Sequence, residues 1–311
     1  RTRLRIEAAA LVMVLTIGSI IIGGAIKTLG GGGGYGSLRL FVNDNTGLYE
    51  GSIISAVSVA TIPLVLWLMK HGTLFPSDWR VKLYGAAQIF ASLLIPIGTQ
   101  ARTGLLCIGL LAILMLRNVK RRFLYLAAMG MAVLIAIPFL PASYTARMNT
   151  IENHEADKSA STRLAVWQWT LDYVGDHPFG GGFDAYLGNK VRIELRKESG
   201  DGNNTAVEVG EAHDEARAYH SSYFEMLGEQ GWPGLLLWLW LMFSGLWQME
   251  RIRSRWKRRT GPGETWQAPL ANALQQSLII YMAGSLFVGI AFQPFCYMLI
   301  GLQIGLWSYL K

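Results

Sequence analysis

Charged residues are scarce in this sequence. They make up 16% of its 311 residues, whereas 51% are hydrophobic, and soluble domains carry about 25% charged residues. This composition excludes an ordinary soluble globular protein and predicts a membrane protein. Cysteine is also scarce. Cys107 and Cys296 both fall in apolar runs, so we expect buried thiols rather than a disulfide.

Familiar catalytic signatures are missing as well. The sequence has no nucleophile elbow of the Ser-His-Asp hydrolases, no nucleotide fingerprint and no cysteine-rich metal site. The net charge of +7 does not indicate nucleic-acid binding, because it is unevenly distributed. Residues 141–220 carry eight Lys/Arg and thirteen Asp/Glu, which gives −5, and the rest of the chain carries +12. The positive charge lies in short loops between apolar runs, where it orients a membrane protein.

Eight apolar runs are long enough to be membrane spans, since a span needs about 20 residues and shorter ones are tolerated. Placing every strongly basic loop on the cytoplasmic side puts residues 141–229 on the outer side. We therefore predict an all-α polytopic membrane protein with about eight transmembrane helices and one large, mostly helical periplasmic loop. The predicted spans are residues 8–29, 47–69, 81–99, 103–116, 123–140, 235–249, 270–292 and 294–310.

This pattern divides the chain into three predicted parts. Residues 1–140 form a membrane bundle of five spans, residues 141–230 form the catalytic loop, and residues 231–311 form a bundle of three spans. The chain opens with a basic segment that leads into an apolar run, so we expect further spans to precede it.

Within the loop, the sequence predicts three helices. Residues 161–175 carry an apolar stripe at helical spacing, made of Leu164, Trp167, Leu171 and Val174. Residues 186–197 and residues 208–229 are predicted to be helical too, on either side of a flexible tip.

Three residues are placed to meet an anionic substrate or to transfer a proton. Arg102 lies at the outer mouth of the fourth span, where it faces a cavity or snorkels to the interface. Arg163 falls in the first turn of the predicted helix 161–175, where it binds an anion with the free N–H groups or pairs with a loop carboxylate. His220 lies where the loop re-enters the membrane, as a base or orienting group or as an ordinary interfacial residue.

Residues around His220 offer one alternative. His213 and Arg217 share its face if this stretch is helical. A metal site made of His213, Asp214 and His220 has no recognised ligand spacing, so we predict no metal.

The segment around residue 180 has simpler interpretations. His177 precedes a proline and is expected to close a turn. Gly180 and Gly182 are typical of a tight turn, although glycines also let the backbone approach a ligand.

Four short motifs, taken in order, resemble the O-antigen ligase / polymerase superfamily. They are TQARTG at residues 99–104, STRL at 161–164 with Trp167, HPFGGG at 177–182, and HSS at 220–222 leading to GWPG at 231–234. The nearest resemblance is to the O-glycosylation ligases associated with the exosortase A system, whose loop is also similar to residues 33–45. Many relatives have Asn after the motif histidine, whereas this chain has Ser221.

The resemblance implies a GT-C-like, metal-independent, inverting glycosyltransferase of the bacterial inner membrane, with its active site facing the periplasm. The donor would be a glycan on undecaprenyl diphosphate, and the acceptor a hydroxyl on lipid A core, protein or another glycan, with no cofactor and no nucleic acid. Arg102 and Arg163 would hold the diphosphate, and His220 would serve the reacting centre. The predicted substrate-binding set also includes Arg217, His177, Gly180, Gly182, Ser221 and Tyr223.

Two alternatives stay open. A glycan polymerase of the same superfamily would use a second lipid-linked chain as acceptor. A transporter or flippase for lipid-linked sugars would need ionisable residues in the middle of spans, and Lys27, Glu50 and Lys82 all lie near span ends.

Overall fold

The computed structural model describes residues 2–32, 50–75, 77–117, 155–199, 206–261 and 263–311, together with residues 123, 124, 127, 130 and 131. For residues 155–160, 192–199 and 206–214 it describes the backbone only. The chain divides into two compact units. The first comprises Arg1–Tyr144, Trp240–Ser285 and Phe292–Lys311, and the second comprises Thr145–Leu239 and Leu286–Ala291.

Helices dominate both units, and one hairpin accompanies them. The α-helices are α1 (Arg3–Lys27), α2 (Gly51–His71), α3 (Trp79–Gly98), α4 (Arg102–Leu116), α5 (Glu155–Asp176), α6 (Ser222–Trp256), α7 (Gln267–Gly284) and α8 (Pro294–Leu310). A π-helical turn, Thr28–Gly32, follows α1, and a 3-10 turn, Ala185–Gly188, precedes the strands β1 (Lys190–Ser199) and β2 (Ala206–Glu215).

Within the described part of the chain, three helical segments are long and apolar enough to cross a membrane: Arg3–Gly31, Gly51–His71 and Trp79–Gly98. Arg102–Leu116 and Pro294–Leu310 are shorter apolar helices. These segments confirm a mostly helical membrane protein. The predicted span at residues 123–140 falls largely outside the described residues, and the total of eight spans stays a prediction.

In the first unit, α2 packs against α1, α3, α4 and α7. Small residues permit close approach between these helices. A Cβ on Gly284 would lie 2.9 Å from the Cβ of Ala56 and 3.1 Å from the sulfur of Cys107. Cys107 and Cys296 are buried free thiols, as the sequence predicts.

The second unit corrects two of the predicted helices. β1 and β2 pair antiparallel, with Lys190 opposite Glu215 and Ser199 opposite Ala206, so residues 186–197 and 208–229 are not continuous helices. Val191 and Leu195 fit a helical spacing of four, but Ile193 between them completes the alternation of a strand. The strand pattern wins because β-branched side chains suit extended backbone.

α5 differs from its prediction at its start and on its buried face. It begins at Glu155, not at residue 161. Its buried side chains are Val166, Thr170 and Val174, which recur every four residues, whereas Leu164 is 61% exposed and Leu171 is 42% exposed. Only Val174 of the predicted stripe is fully buried.

α6 is interrupted and α7 ends before residue 286, so that residues 286–291 belong to the second unit. α6 contains Gly231 at φ 65° and ψ −169°, so its helical backbone is interrupted between the predicted helix 208–229 and the predicted span 235–249. α7 ends at Gly284, so the predicted helix to residue 292 is wrong. The Ser222 hydroxyl donates to the carbonyl of Val288 (2.9 Å) and accepts from the N–H of Ile290 (2.9 Å), and these contacts hold this segment in the second unit.

Candidate active site

α5 is fixed against the segment that precedes His220 through Trp167. The indole N–H of Trp167 donates to the carbonyl of Tyr219 at 2.9 Å, and its ring stacks on Phe224 with centroids 4.8 Å apart. Tyr219 is 3% exposed and packs in a core cluster with Val166. Arg163 lies one helical turn before Trp167, so both side chains emerge from the same face of α5.

Arg217 is positioned through its backbone by Asn189, which is fully buried. The Asn189 amide accepts from the N–H of Arg217 at 2.9 Å and donates to the carbonyl of Arg217 at 2.6 Å. The N–H of Ala216 donates to the Asn189 carbonyl at 3.1 Å. These three hydrogen bonds define the path of the chain three residues before His220.

His220 occupies a left-handed backbone conformation, with φ 48°. Such a conformation is uncommon for a non-glycine residue and is found at sites where the surrounding structure imposes it. The side chain is half-buried. Burial lowers the pKa of His220 below its usual value of 6.5, and the positive charges of Arg163 and Arg217 lower this pKa further. The charges of Arg163 and Arg217 therefore act on the His220 imidazole within the second unit and disfavour its protonation.

The structure changes the argument for Arg163. Because α5 begins at Glu155, Arg163 lies well inside the helix, and its prediction in the first turn is wrong. The free N–H groups of the helix start are therefore not beside it. Among the residues that the structure describes, no carboxylate forms an ion pair with its guanidinium, so an anion at this position would be bound through side-chain charge.

The loop of three glycines at residues 180–182 packs on the backbone of α6. The N–H of Gly181 donates to the carbonyl of Gly228 and that of Gly182 to the carbonyl of Glu229, both at 2.9 Å, while that of Gly180 closes a turn on His177 at 2.8 Å. The break at Gly231 exposes these α6 carbonyls, because the following turn no longer supplies their partners. This contact explains the glycines without a ligand, and substrate binding by Gly180 and Gly182 stays a prediction.

The other predicted substrate-binding residues have structural contacts of their own. His177 is exposed, stacks on Tyr173 with centroids 4.4 Å apart and ends α5, in agreement with a turn-closing role. Ser221 is buried, and its carbonyl accepts the N–H of Glu225 at 2.9 Å. Tyr223 packs edge-on against Trp238 at 5.3 Å.

Two carboxyl groups of α6, Glu225 and Glu229, act electrostatically on Tyr219, and the sequence predicts no role for them. Glu225 accepts the N–H of Ala291 at 2.8 Å, and Glu229 accepts the N–H of Asp184 at 3.2 Å. Burial raises the pKa of each carboxyl to about 7, and hydrogen bonds from these amides oppose the shift. The pair ties α6 to the loop at residue 184 and to the segment at residue 291. In the sequence, the signal for this pair is two glutamates four residues apart, on one helical face just before Gly231.

Arg102 begins α4 and is exposed. It belongs to the first unit, so its convergence with Arg163 and His220 stays a prediction. The alternative metal site loses its helical geometry, because His213 and Asp214 lie in β2, where they pair with Arg192 and Val191. Within the described ranges, no group of three or more His, Cys, Asp or Glu side chains is arranged to hold a metal ion.

Comparison with known families defines the class. The structure is that of a mostly helical membrane protein. The model of the family described as O-Antigen ligase matches residues 87–239, about half of the chain. This match supports membership of the O-antigen ligase / polymerase superfamily and glycosyl transfer of the ligase or polymerase type. Residues 1–73 match a family of unknown function, DUF5935. None of the curated proteins matches the chain.

Proposed function

We propose that this protein is a metal-independent, inverting glycosyltransferase of the bacterial inner membrane. It transfers a glycan from undecaprenyl diphosphate to an acceptor hydroxyl on the periplasmic side. The observation that carries the proposal is the hydrogen bond from Trp167 to the carbonyl of Tyr219, which holds the face of α5 that bears Arg163 against the segment just before His220. The charges of Arg163 and Arg217 act on the His220 imidazole there.

The two guanidinium groups suit the diphosphate of the donor. An arginine offers a planar set of N–H donors that binds two phosphate oxygens at once, and such charge-assisted hydrogen bonds are about twice as strong as neutral ones. They stabilise the charge that develops on the leaving oxygen as the glycosidic bond breaks. The superfamily resemblance implies that Arg102, the first residue of α4, also binds the diphosphate.

The neutral imidazole suits the acceptor. The acceptor oxygen attacks C1 of the glycan, and the bond from C1 to the diphosphate oxygen breaks, so that its electron pair leaves with the diphosphate. Attack from the face opposite the leaving group inverts the configuration at C1. The proton of the acceptor hydroxyl passes to the free ring nitrogen of His220.

The direct test is transfer by the purified full chain with a lipid-linked donor and acceptors offered one at a time. Arg163→Lys keeps the charge but removes the planar guanidinium that binds two phosphate oxygens at once, so we expect the transfer rate to fall by at least about tenfold. His220→Ala removes the proton acceptor, so we expect it to lose transfer. Gln168→Ala is the matched control, because Gln168 is exposed on α5 and bonds only to Asp172 within the described part of the chain. Wild-type rates in both site variants would refute the proposal.

Two further arms of the test address the remaining choices. We expect transfer to continue in excess chelator, and a loss that a divalent cation restores would refute metal independence. Elongation of a second lipid-linked chain, with no transfer to lipid A core or protein, would identify the polymerase rather than the ligase.

A further inference from the structure

A cavity of about 330 Å³ lies in the first unit, between the C-terminal ends of α6 and α8. Its volume is in the range of small-molecule sites, roughly 300–1,000 Å³. α6 contributes Arg251, Ile252, Arg255 and Trp256 to its walls, and the end of α8 contributes Trp307, Leu310 and Lys311. The activity proposed above does not use these residues.

The charged side chains that line this cavity are all cations, Arg251, Arg255 and Lys311. Two aromatic residues, Trp256 and Trp307, and two aliphatic residues, Ile252 and Leu310, complete its lining. This set of side chains fits an anionic ligand that also carries apolar groups.

The nearby acidic side chains are engaged elsewhere. Glu250 bonds to Arg253 through the Arg253 Nε at 2.9 Å and to Gln275 at 3.2 Å. Glu264 pairs with Arg259 at 3.2 Å. The cavity cations are therefore not neutralised by these two carboxylates.

Apolar surface continues from the cavity along both helices. Trp247 lies one turn before Arg251, stacks under its guanidinium at 4.7 Å and is 55% exposed. On α8, Ile304 lies one turn before Trp307 and is 54% exposed. A ligand that carries acyl chains below an anionic head group would cover this surface, whereas a free anion would leave it bare. Basic pockets at the cytoplasmic ends of transmembrane helices are suited to anionic lipid head groups.

We propose that this cavity binds the phosphodiester head group of an anionic phospholipid. Arg251, Arg255 and Lys311 meet the charge of the phosphodiester. The acyl chains lie along Trp247 and Ile304. The basic segment 251–259 places this end of α6 on the cytoplasmic side by the positive-inside rule.

The test titrates the detergent-purified full chain with phosphatidylglycerol and, separately, with phosphatidylcholine, and counts bound lipids by native mass spectrometry. We expect preference for phosphatidylglycerol, and a loss of affinity of about fivefold in Arg255→Gln, since that is the contribution of one cation beside an anionic lipid. Arg258→Gln is the control, since Arg258 is an exposed cation of the same segment that does not line the cavity.

Several outcomes would overturn the proposal. Equal affinity for the two lipids, or equal effects of Arg255→Gln and Arg258→Gln, would show that the cavity is not a head-group site. Binding of inorganic phosphate with the same dependence on Arg255, without retention of phosphatidylglycerol, would identify a free anion instead. The unfolding midpoint of each variant is compared with that of the wild type. An equal midpoint shows that the fold is retained, so that a loss of lipid affinity is due to the cavity itself.

Discussion

The hydrogen bonds between Asn189 and the backbone of Arg217 predict how a single substitution changes both the stability of the protein and the geometry of the candidate active site. Asn189→Leu keeps a side chain of similar size in a fully buried position and removes both hydrogen bonds to Arg217. Each bond contributes about 0.5–1.5 kcal/mol. The N–H and carbonyl of Arg217 are only partly buried and regain water, so we expect a loss of stability of about 2 kcal/mol.

The effect on transfer should exceed this loss of stability. Arg217 lies three residues before His220, and a displacement of about 1 Å at a reacting centre lowers a rate by about a hundredfold. Asn189→Asp tests the direction of the bonds, because it keeps the acceptor for the Arg217 N–H but turns a second oxygen toward the Arg217 carbonyl. It should therefore behave like Asn189→Leu.

The measurements are the unfolding midpoint in detergent and the single-turnover rate with a lipid-linked donor. Gln168→Ala again serves as the control and should stay within about 0.5 kcal/mol of wild type, as surface substitutions do. An Asn189→Leu variant with a wild-type rate would refute the view that this amide positions Arg217 for catalysis.

Two further predictions concern the contacts of α6. Gly180→Ala should lower the unfolding midpoint more than Gly182→Ala. Both glycines have φ near +80°, but only at Gly180 would a Cβ lie 2.5 Å from the carbonyl of Glu229. Equal shifts of the midpoint would contradict this close packing. The carboxyl pKa of Glu229 is raised from 4.5 to about 7, so its contribution to stability is fully present below pH 4.5 and is lost as pH rises through about 7. Glu229→Gln should flatten the fall of the midpoint across this window, and an unchanged pH profile would contradict it.

The sequence was informative where one physical signal dominates. Apolar runs predict the helices α1, α2 and α3 because a span needs little more than length and low polarity. The break at Gly231 falls in the gap between the predicted helix 208–229 and the predicted span 235–249. Arg163 was singled out because a cation in the first turn of a helix favours a nearby anion, but α5 begins at Glu155, so that reason does not hold and its role stays a prediction.

Other features depend on contacts that no local pattern contains. Asn189 is one polar residue in a short loop, and its partner lies 28 residues later. The hairpin was missed because apolar residues four apart satisfy both a helix and a strand. α7 was extended too far because residues 286–291 are apolar enough to continue a span, yet Ser222 and Glu225 hold them in the other unit.

The charges of Arg163 and Arg217 make His220 a weaker base, and binding of the proposed donor offsets this effect. A base beside two guanidinium groups has a lowered pKa, so it stays unprotonated but accepts protons weakly. The diphosphate brings negative charge to the same two groups, and this charge offsets their effect on the imidazole. His220 should therefore become a stronger base when donor is bound. The pH profile of kcat/KM reports the free enzyme, and that of kcat reports the complex. Both rates should fall as pH drops through the pKa of His220, and the fall in kcat should occur at the higher pH. Identical profiles would show that the imidazole does not sense the donor, and His220 would then have to act without taking the proton.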